Sequence, residues 1–174
     1  VVTPDAALGN KAVACPVIYL LHGYGGNAKT WIGVKPDLPQ IADEKGIIFV
    51  CPDGKNSWYW DSPKDPSYRY ETFVSSELVK YIDGHYKTIA GRKGRAITGL
   101  SMGGHGAMWN AIRHKDTFGA GGSTSGGVDI RPFPLNWDMS KQLGEFAYNK
   151  KVWDEHTVIN QIDKIENGDL AIII

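Results

Sequence analysis

Short apolar runs at residues 17–21, 46–51, 95–98, 118–123 and 170–174 alternate with longer stretches compatible with helices. Strands that read as continuous apolar runs are buried on both faces, and strand–helix alternation builds a parallel sheet covered on each side. The pattern therefore predicts five strands in an α/β architecture. Between the first two runs, Asn27 is placed to cap a helix through Trp31, and Pro36 and Pro39 interrupt the segment before Leu38, Ile41 and Ala42 resume an apolar face. Residues 52–70, rich in Pro, Asp, Gly, Asn and aromatics, read as a loop. From 71 to 86, Phe73, Val74, Leu78, Tyr81 and Ile82 recur at helical spacing and predict one stripe packed on the sheet.

Later in the chain, Ala107, Met108, Ala111 and Ile112 predict a buried helix. The glycine-rich run 119–127, with Ser123, Thr124 and Ser125, leaves space for a ligand or for close helix packing. Residues 128–151 carry Pro132, Pro134 and Trp137 and read as a loop or cap over the strand ends. Residues 153–165 read as a helix with Val158, Ile159, Ile162 and Ile165 on one side.

With 174 residues, 42% of them apolar, the chain is long enough for one core. It is read as one domain, 1–174, with a cap-like insertion at about 128–152. Nineteen basic and nineteen acidic side chains cancel, which removes the electrostatic footprint expected of a nucleic-acid or anionic-membrane binder. The basic cluster at 92–95 precedes a strand and reads as a solvated turn. The apolar run 17–21 is far too short to span a bilayer. Cys15 and Cys51 fall at opposite ends of neighbouring parallel strands, so both are expected as free thiols, and their spacing gives no zinc motif.

The chemistry concentrates at Gly99-Leu100-Ser101-Met102-Gly103-Gly104, a small-x-Ser-x-small turn after a strand run and before a helix. This is the pattern of a nucleophile elbow. Gly99 and Gly103 leave room for the crossing backbone, Ser101 projects above the sheet edge as the nucleophile, and the Met102 amide stands free to stabilise an oxyanion. A second glycine-rich turn, His22-Gly23-Tyr24-Gly25-Gly26, leaves the first strand run. In a serine hydrolase this loop supplies the other oxyanion donor, assigned here to the Tyr24 amide with Gly25 next in line. The run Ser57-Trp58-Tyr59-Trp60-Asp61 has two readings, a face on which a sugar or phenol stacks, or the loop's own small core. Trp137 is a further stacking candidate.

A base for Ser101 is harder to find. His105 lies one turn along the same helix, His22 belongs to the oxyanion turn and reads as a hydrogen-bonded structural residue, and His85 and His114 fall at helix ends. Asp129 with His156 follows the chain order of an acid and a base, but His156 would have to fold back over the sheet edge. Glu71 and Glu77 are six apart on one helix, on different faces, and cannot form a glycosidase pair.

The residues Tyr19-Leu20-Leu21-His22-Gly23-Tyr24-Gly25-Gly26, Pro52-Asp53-Gly54, Ser57-Trp58-Tyr59, Glu71, Glu77-Leu78 and Ile97 through Ala107 resemble the esterase family of α/β-hydrolases that contains feruloyl and acetylxylan esterases, S-formylglutathione hydrolases and bacterial mycolyltransferases. The resemblance runs along nearly the whole chain. It implies a three-layer α/β-hydrolase with a mostly parallel sheet, Ser101 as nucleophile, the Tyr24 and Met102 amides as oxyanion hole, no metal and no cofactor. The implied substrate is an acetyl or feruloyl ester of plant polysaccharide, and the implied compartment is secreted or periplasmic. Members of the family carry their acid just beyond the strand that matches 170–174 and their histidine later still. The sheet is therefore expected to be incomplete at its C-terminal end, with the acid and base beyond Ile174 and this piece inactive or very weak alone. Residues 1–4 are expected to be the tail of an earlier strand. Two rivals stand beside this expectation, acyl transfer to a sugar acceptor and a non-catalytic sugar-binding or structural domain.

Overall fold

A computed structural model describes residues Val1–Ile174. Five parallel strands form one sheet: β1 (Val17–Leu21), β2 (Ile48–Val50), β3 (Arg95–Gly99), β4 (Ala120–Gly122) and β5 (Ala171–Ile173), in the order β2-β1-β3-β4-β5. The helices are α1 (Thr30–Val34), α2 (Leu38–Lys45), α3 (Tyr70–Thr72), α4 (Leu78–His85), α5 (Met102–Arg113), α6 (Met139–Leu143) and α7 (Lys150–Glu155). Alternation along the inner strands sorts side chains to two faces. Val17, Tyr19 and Leu21 of β1 and Ile48 and Val50 of β2 join the core that holds α4 and α5. Leu20 and Phe49 point the other way, onto Leu38 and Ala42 of α2. These are the three layers that the apolar runs imply. Both cysteines are free thiols, as expected. Val2 pairs antiparallel with Phe49 at the outer side of β2, so the first residues extend the sheet edge.

Two helical expectations need correction. The 71–86 segment is not one regular helix: α3 passes through a π turn at Phe73–Glu77 before α4 begins. The Ser75 hydroxyl donates to the Glu71 carbonyl at 2.7 Å, occupying an acceptor beside the wider turn. The extra residue in the turn rotates the buried stripe to Val74, Val79 and Ile82 and leaves Tyr81 exposed, stacked on His85. The 153–165 segment likewise breaks. The Thr157 hydroxyl donates to the Trp153 carbonyl at 2.7 Å, the acceptor its own amide would use in a continuing helix, and that amide turns to the Asp154 carbonyl instead; His156 Nδ1 adds a second donor on the Val152 carbonyl at 2.7 Å. The chain then resumes as a tight 3₁₀ coil over Val158–Lys164, which buries Val158 and Gln161 and exposes Ile162.

The sheet order places a topological switch between β1 and β3. The chain leaves β1 toward β2 and later returns to the other side of β1 as β3, and in open α/β sheets the crevice at such a point binds ligand. Here Leu21 pairs with Gly99, so the turns leaving the two strands lie side by side. The β3–α5 crossing is tight. A Cβ on Gly103 would stand 2.1 Å from the Leu21 carbonyl oxygen, and one on Gly99 would stand 2.2 Å from the Gly103 carbonyl oxygen. α5 is buried along nearly its whole length, from Met102 to Ile112. Its far end is held by Glu71, whose carboxylate accepts from Trp109 Nε1 at 2.9 Å, Arg113 Nε at 2.8 Å and His114 Nε2 at 2.7 Å.

Two outcomes follow from this clamping of α5 at both ends. Gly103→Ala, which forces the crossing apart, is expected to cost about 2–3 kcal/mol and lower the thermal midpoint by roughly 5–10 °C, while Gly33→Ala, with open space around it, is expected to leave it unchanged. For Glu71, burial pushes the carboxyl up, but hydrogen bonds from His114 and Arg113, the Arg113 charge and the Trp109 bond outweigh it and hold the group down at about 2. A depressed folded-state value stabilises above the ordinary 4.5 and is lost as pH falls toward about 2. Glu71→Gln is therefore expected to cost about 2 kcal/mol at neutral pH and to flatten the loss of stability between those limits, measured as urea midpoints against pH.

Candidate active site

Ser101 is the second of the two residues between β3 and α5, with φ 55° and ψ −116°. A non-glycine residue there is strained by about 1–3 kcal/mol, so its surroundings have to hold it. The Ser101 amide donates to the Thr124 carbonyl at 2.9 Å, and the Leu100 amide donates to the Leu21 carbonyl at 3.2 Å. The crossing is thus fastened to the chain leaving β4 on one side and to β1 on the other. The His105 amide closes the first helical bond onto the Ser101 carbonyl at 3.0 Å. Ser101 itself remains exposed.

The turn after β1 lies against this serine, since a Cβ on Gly23 would meet the Ser101 Cβ at 3.5 Å. The Tyr24 amide has no acceptor within the protein. The Gly25 amide is different: it donates to Asn56 Oδ1 at 2.8 Å, which removes the second candidate donor and fixes the turn. The Met102 amide heads α5, where first-turn N–H groups have no intrahelical acceptor. A cavity of about 270 Å³ opens beside Ser101, walled by Tyr24, Trp58, Ile130, Phe133, Trp137 and Met139, with Asp129 and the backbone of 125–127 at its edge.

The aromatic run divides between two jobs. Trp58 and Tyr59 both lie in the left-handed region, at φ 57° and 60°, so the alternation of an extended chain is lost and successive rings leave in unrelated directions. Trp58 reaches the cavity, its ring 6.3 Å from that of Trp137, and its Nε1 donates to the Trp137 carbonyl at 3.0 Å. Tyr59 and Trp60 do not: both are fully buried. The Tyr59 hydroxyl donates to the His22 carbonyl at 2.9 Å, and Trp60 packs between Trp58 and His105. Of the two readings of this run, Tyr59 and Trp60 follow the one in which the loop builds its own core, and neither they nor Gly25 line the cavity. Residues missed from the sequence are Ile130, Phe133 and Met139. The signal is present in Pro132-Phe133-Pro134, a loop segment whose half-exposed ring lies tilted against Trp137 at 5.5 Å.

Residues 128–149 cross over the aromatic loop and the β1 turn. The Tyr24 hydroxyl donates to Asp138 Oδ2 and the Ser62 hydroxyl to the Gln142 carbonyl, each at 2.7 Å. Among the histidines, none lines the cavity or bonds Ser101. His105 is fully enclosed by Trp58, Trp60 and Trp109, and burial pushes its imidazole down to about 3. His114 bonds Glu71, and His85 bonds the Tyr81 carbonyl. His156 stacks on Trp109, and burial lowers its value too. Both Asp129 oxygens are taken by Arg131, at 2.8 and 2.9 Å, so Asp129 and His156 are not brought together. No group of three or more His, Cys, Asp or Glu side chains is placed to hold a metal ion.

Comparison with known proteins bears on the family and the fold. Residues 1–171 match the family described as "Putative esterase". Esterase Rv1288 of Mycobacterium tuberculosis is 28% identical over 178 residues, which take in 91% of this chain and 38% of that protein. The chain thus spans well under half the length of that relative. A solved ferulic acid esterase is 29% identical with a TM-score of 0.69, covering 92% of this chain and 62% of its own. The fluorophosphonate-binding serine hydrolase F of Staphylococcus aureus shares the fold at a TM-score of 0.82 and 20% identity, over 98% of this chain and 69% of its own. The chain has the α/β-hydrolase fold and belongs to this esterase family.

Proposed function

We propose that Ser101 is the nucleophile of a serine carboxylic-ester hydrolase. The observation that carries this is an exposed serine held at φ 55° and ψ −116° over the β1/β3 switch point, beside an unpaired Tyr24 amide and an aromatic-walled cavity. The Ser101 oxygen attacks the ester carbonyl while its proton passes to a base, and the tetrahedral oxyanion accepts from the Met102 and Tyr24 amides. Collapse expels the alcohol with that proton and leaves an acyl-serine. Water then attacks the acyl carbon, giving its proton to the same base, and the second tetrahedral species collapses to release the carboxylic acid as that proton returns to Ser101. Since no histidine among residues 1–174 faces Ser101, the base and its acid in this reading follow Ile174 in chain order.

The substrate class we propose is an acetyl or feruloyl ester of plant polysaccharide, met outside the cytoplasm, secreted or periplasmic. Trp58, Phe133 and Trp137, tilted against one another along the cavity wall, favour the feruloyl group, because aromatic side chains offer a planar aromatic acyl chain apolar and ring contacts. The protein extended past Ile174 is expected to hydrolyse 4-nitrophenyl acetate and to take a fluorophosphonate on Ser101, read by mass spectrometry. Both reactions should vanish in Ser101→Ala. Residues 1–174 alone are expected to be slower by several orders of magnitude, since catalytic residues that act as a unit together supply about 10⁶ in rate. Equal rates for the two lengths would overturn the assignment of the base. Trp137→Ala is expected to lower kcat/KM for feruloyl esters by about 10-fold and for acetyl esters by less than about 3-fold, as loss of one ring contact requires.

A further inference from the structure

We propose that His22 is a positioning residue that aims the Tyr24 amide at the oxyanion. The starting point is the planarity of the Gly23–Tyr24 peptide. In a trans peptide the C=O and N–H point in opposite directions, so holding one fixes the other. The Gly23 carbonyl oxygen is gripped by two donors, His22 Nδ1 at 2.7 Å and the Gly26 amide at 3.0 Å. The Tyr24 N–H therefore leaves the opposite side of the plane and stays unpaired.

The imidazole is itself fixed. His22 is fully buried, and its Nε2 accepts from the Gly54 amide at 2.9 Å, which puts the ring proton on Nδ1, where it serves Gly23. Asp53 Oδ1 lies 3.5 Å from Nε2 and leaves the Gly54 amide as the bonded partner. The Tyr59 ring packs edge-on at 6.0 Å while its hydroxyl holds the His22 carbonyl. A Cβ at residue 26 would stand 2.8 Å from Nδ1, so the turn admits this ring only with glycine there.

The result is a chain of hydrogen bonds running Gly54 N–H to His22 Nε2, His22 Nδ1–H to the Gly23 carbonyl, and onward through the peptide to the Tyr24 N–H. Each link polarises the next, so the chain strengthens the last donor as well as aiming it. Without it, the Gly23 carbonyl keeps only the Gly26 amide, and the Gly25–Asn56 bond holds the neighbouring peptide, not this one, in a turn with glycine at 23, 25 and 26. This inference rests on the reading of Tyr24 as an oxyanion donor.

Two near-isosteric variants separate the bonds. In His22→Asn the side-chain NH₂ sits where Nδ1 was and can still donate to Gly23, whereas in His22→Gln the terminal oxygen sits where Nε2 was and keeps only the Gly54 bond. For the protein extended past Ile174, His22→Gln is expected to lower kcat about 30-fold with KM within about 3-fold, a part of the 10²–10³ lost when an oxyanion donor is removed. His22→Asn is expected to recover to within about 5-fold of the parent, a split that a purely structural role would not produce. The reverse order, or equal effects, overturns the proposal. Nitrogen-15 spectra of residues 1–174 supply the arm independent of activity. They are expected to show His22 protonated at Nδ1 and bare at Nε2, and a proton on Nε2 overturns it. An unreactive Ser101 in the extended protein defeats the esterase reading alone, and the tautomer then still decides whether the hydrogen-bond chain exists.

Discussion

Backbone has to pass backbone where β3 enters α5, and the room available is less than one methyl group. The Gly103 position abuts the last carbonyl of β1, and the Gly99 position abuts Gly103 itself. That contact fixes the depth of α5 against the sheet, and with it the strained geometry of Ser101. It also sets the β1 turn beside the serine, because Leu21 and Gly99 are register partners. A strained residue persists only when its surroundings over-determine it. Here the Thr124 carbonyl, the β1 carbonyl and the buried length of α5 do so together.

The same helix carries the constraint outward to the cavity wall. His105, one turn after Ser101, is packed by Trp58, Trp60 and Trp109 at ring distances of 5.1, 4.9 and 6.3 Å. An imidazole held near 3 by burial stays neutral, so it acts as a flat, uncharged spacer between the helix that follows Ser101 and the Trp58 wall. It is unsuited to be a base, which needs a value near working pH. At the far end, Glu71 ties Trp109, Arg113 and His114 to the start of α3, so the stack cannot slide along α5.

How much of this was legible in the sequence depends on whether backbone or side chain decides the outcome. The strands, their parallel order and the serine turn follow from apolar runs and glycine spacing, because burial on two faces and close backbone approach leave few residue choices. The hydrogen-bonded role of His22 was legible for the same reason, as it sits inside a turn crowded by glycines. What failed was periodicity where side-chain donors compete with the helix. Thr157 ends α7 by taking the Trp153 carbonyl with its hydroxyl, and the apolar spacing of Ile159 and Ile162 gives no sign of it. Composition leaves Tyr59 and Trp60 open to a binding or a core reading, and consecutive left-handed residues decide it by sending their rings into the core. That conformation cannot be read from residue types that usually avoid it.

The charges at and near the cavity also bear on the proposed ester substrate. Asp129 is occupied by Arg131, whose hydrogen bonds hold the carboxyl below its ordinary range. Asp138 accepts from Tyr24 and lies 3.1 Å from Lys141, and these two lower it as well. Each carboxylate therefore meets a donor, and the wall between them is aromatic and aliphatic. A neutral acyl group can shed its water against Trp58, Phe133 and Trp137 without confronting an unpaired charge, whereas a charged one would lose hydration with no partner to replace it. The polar work of the site is thereby confined to one small region, where backbone amides stand around Ser101. Selectivity for what sits beyond the carbonyl falls to shape and stacking.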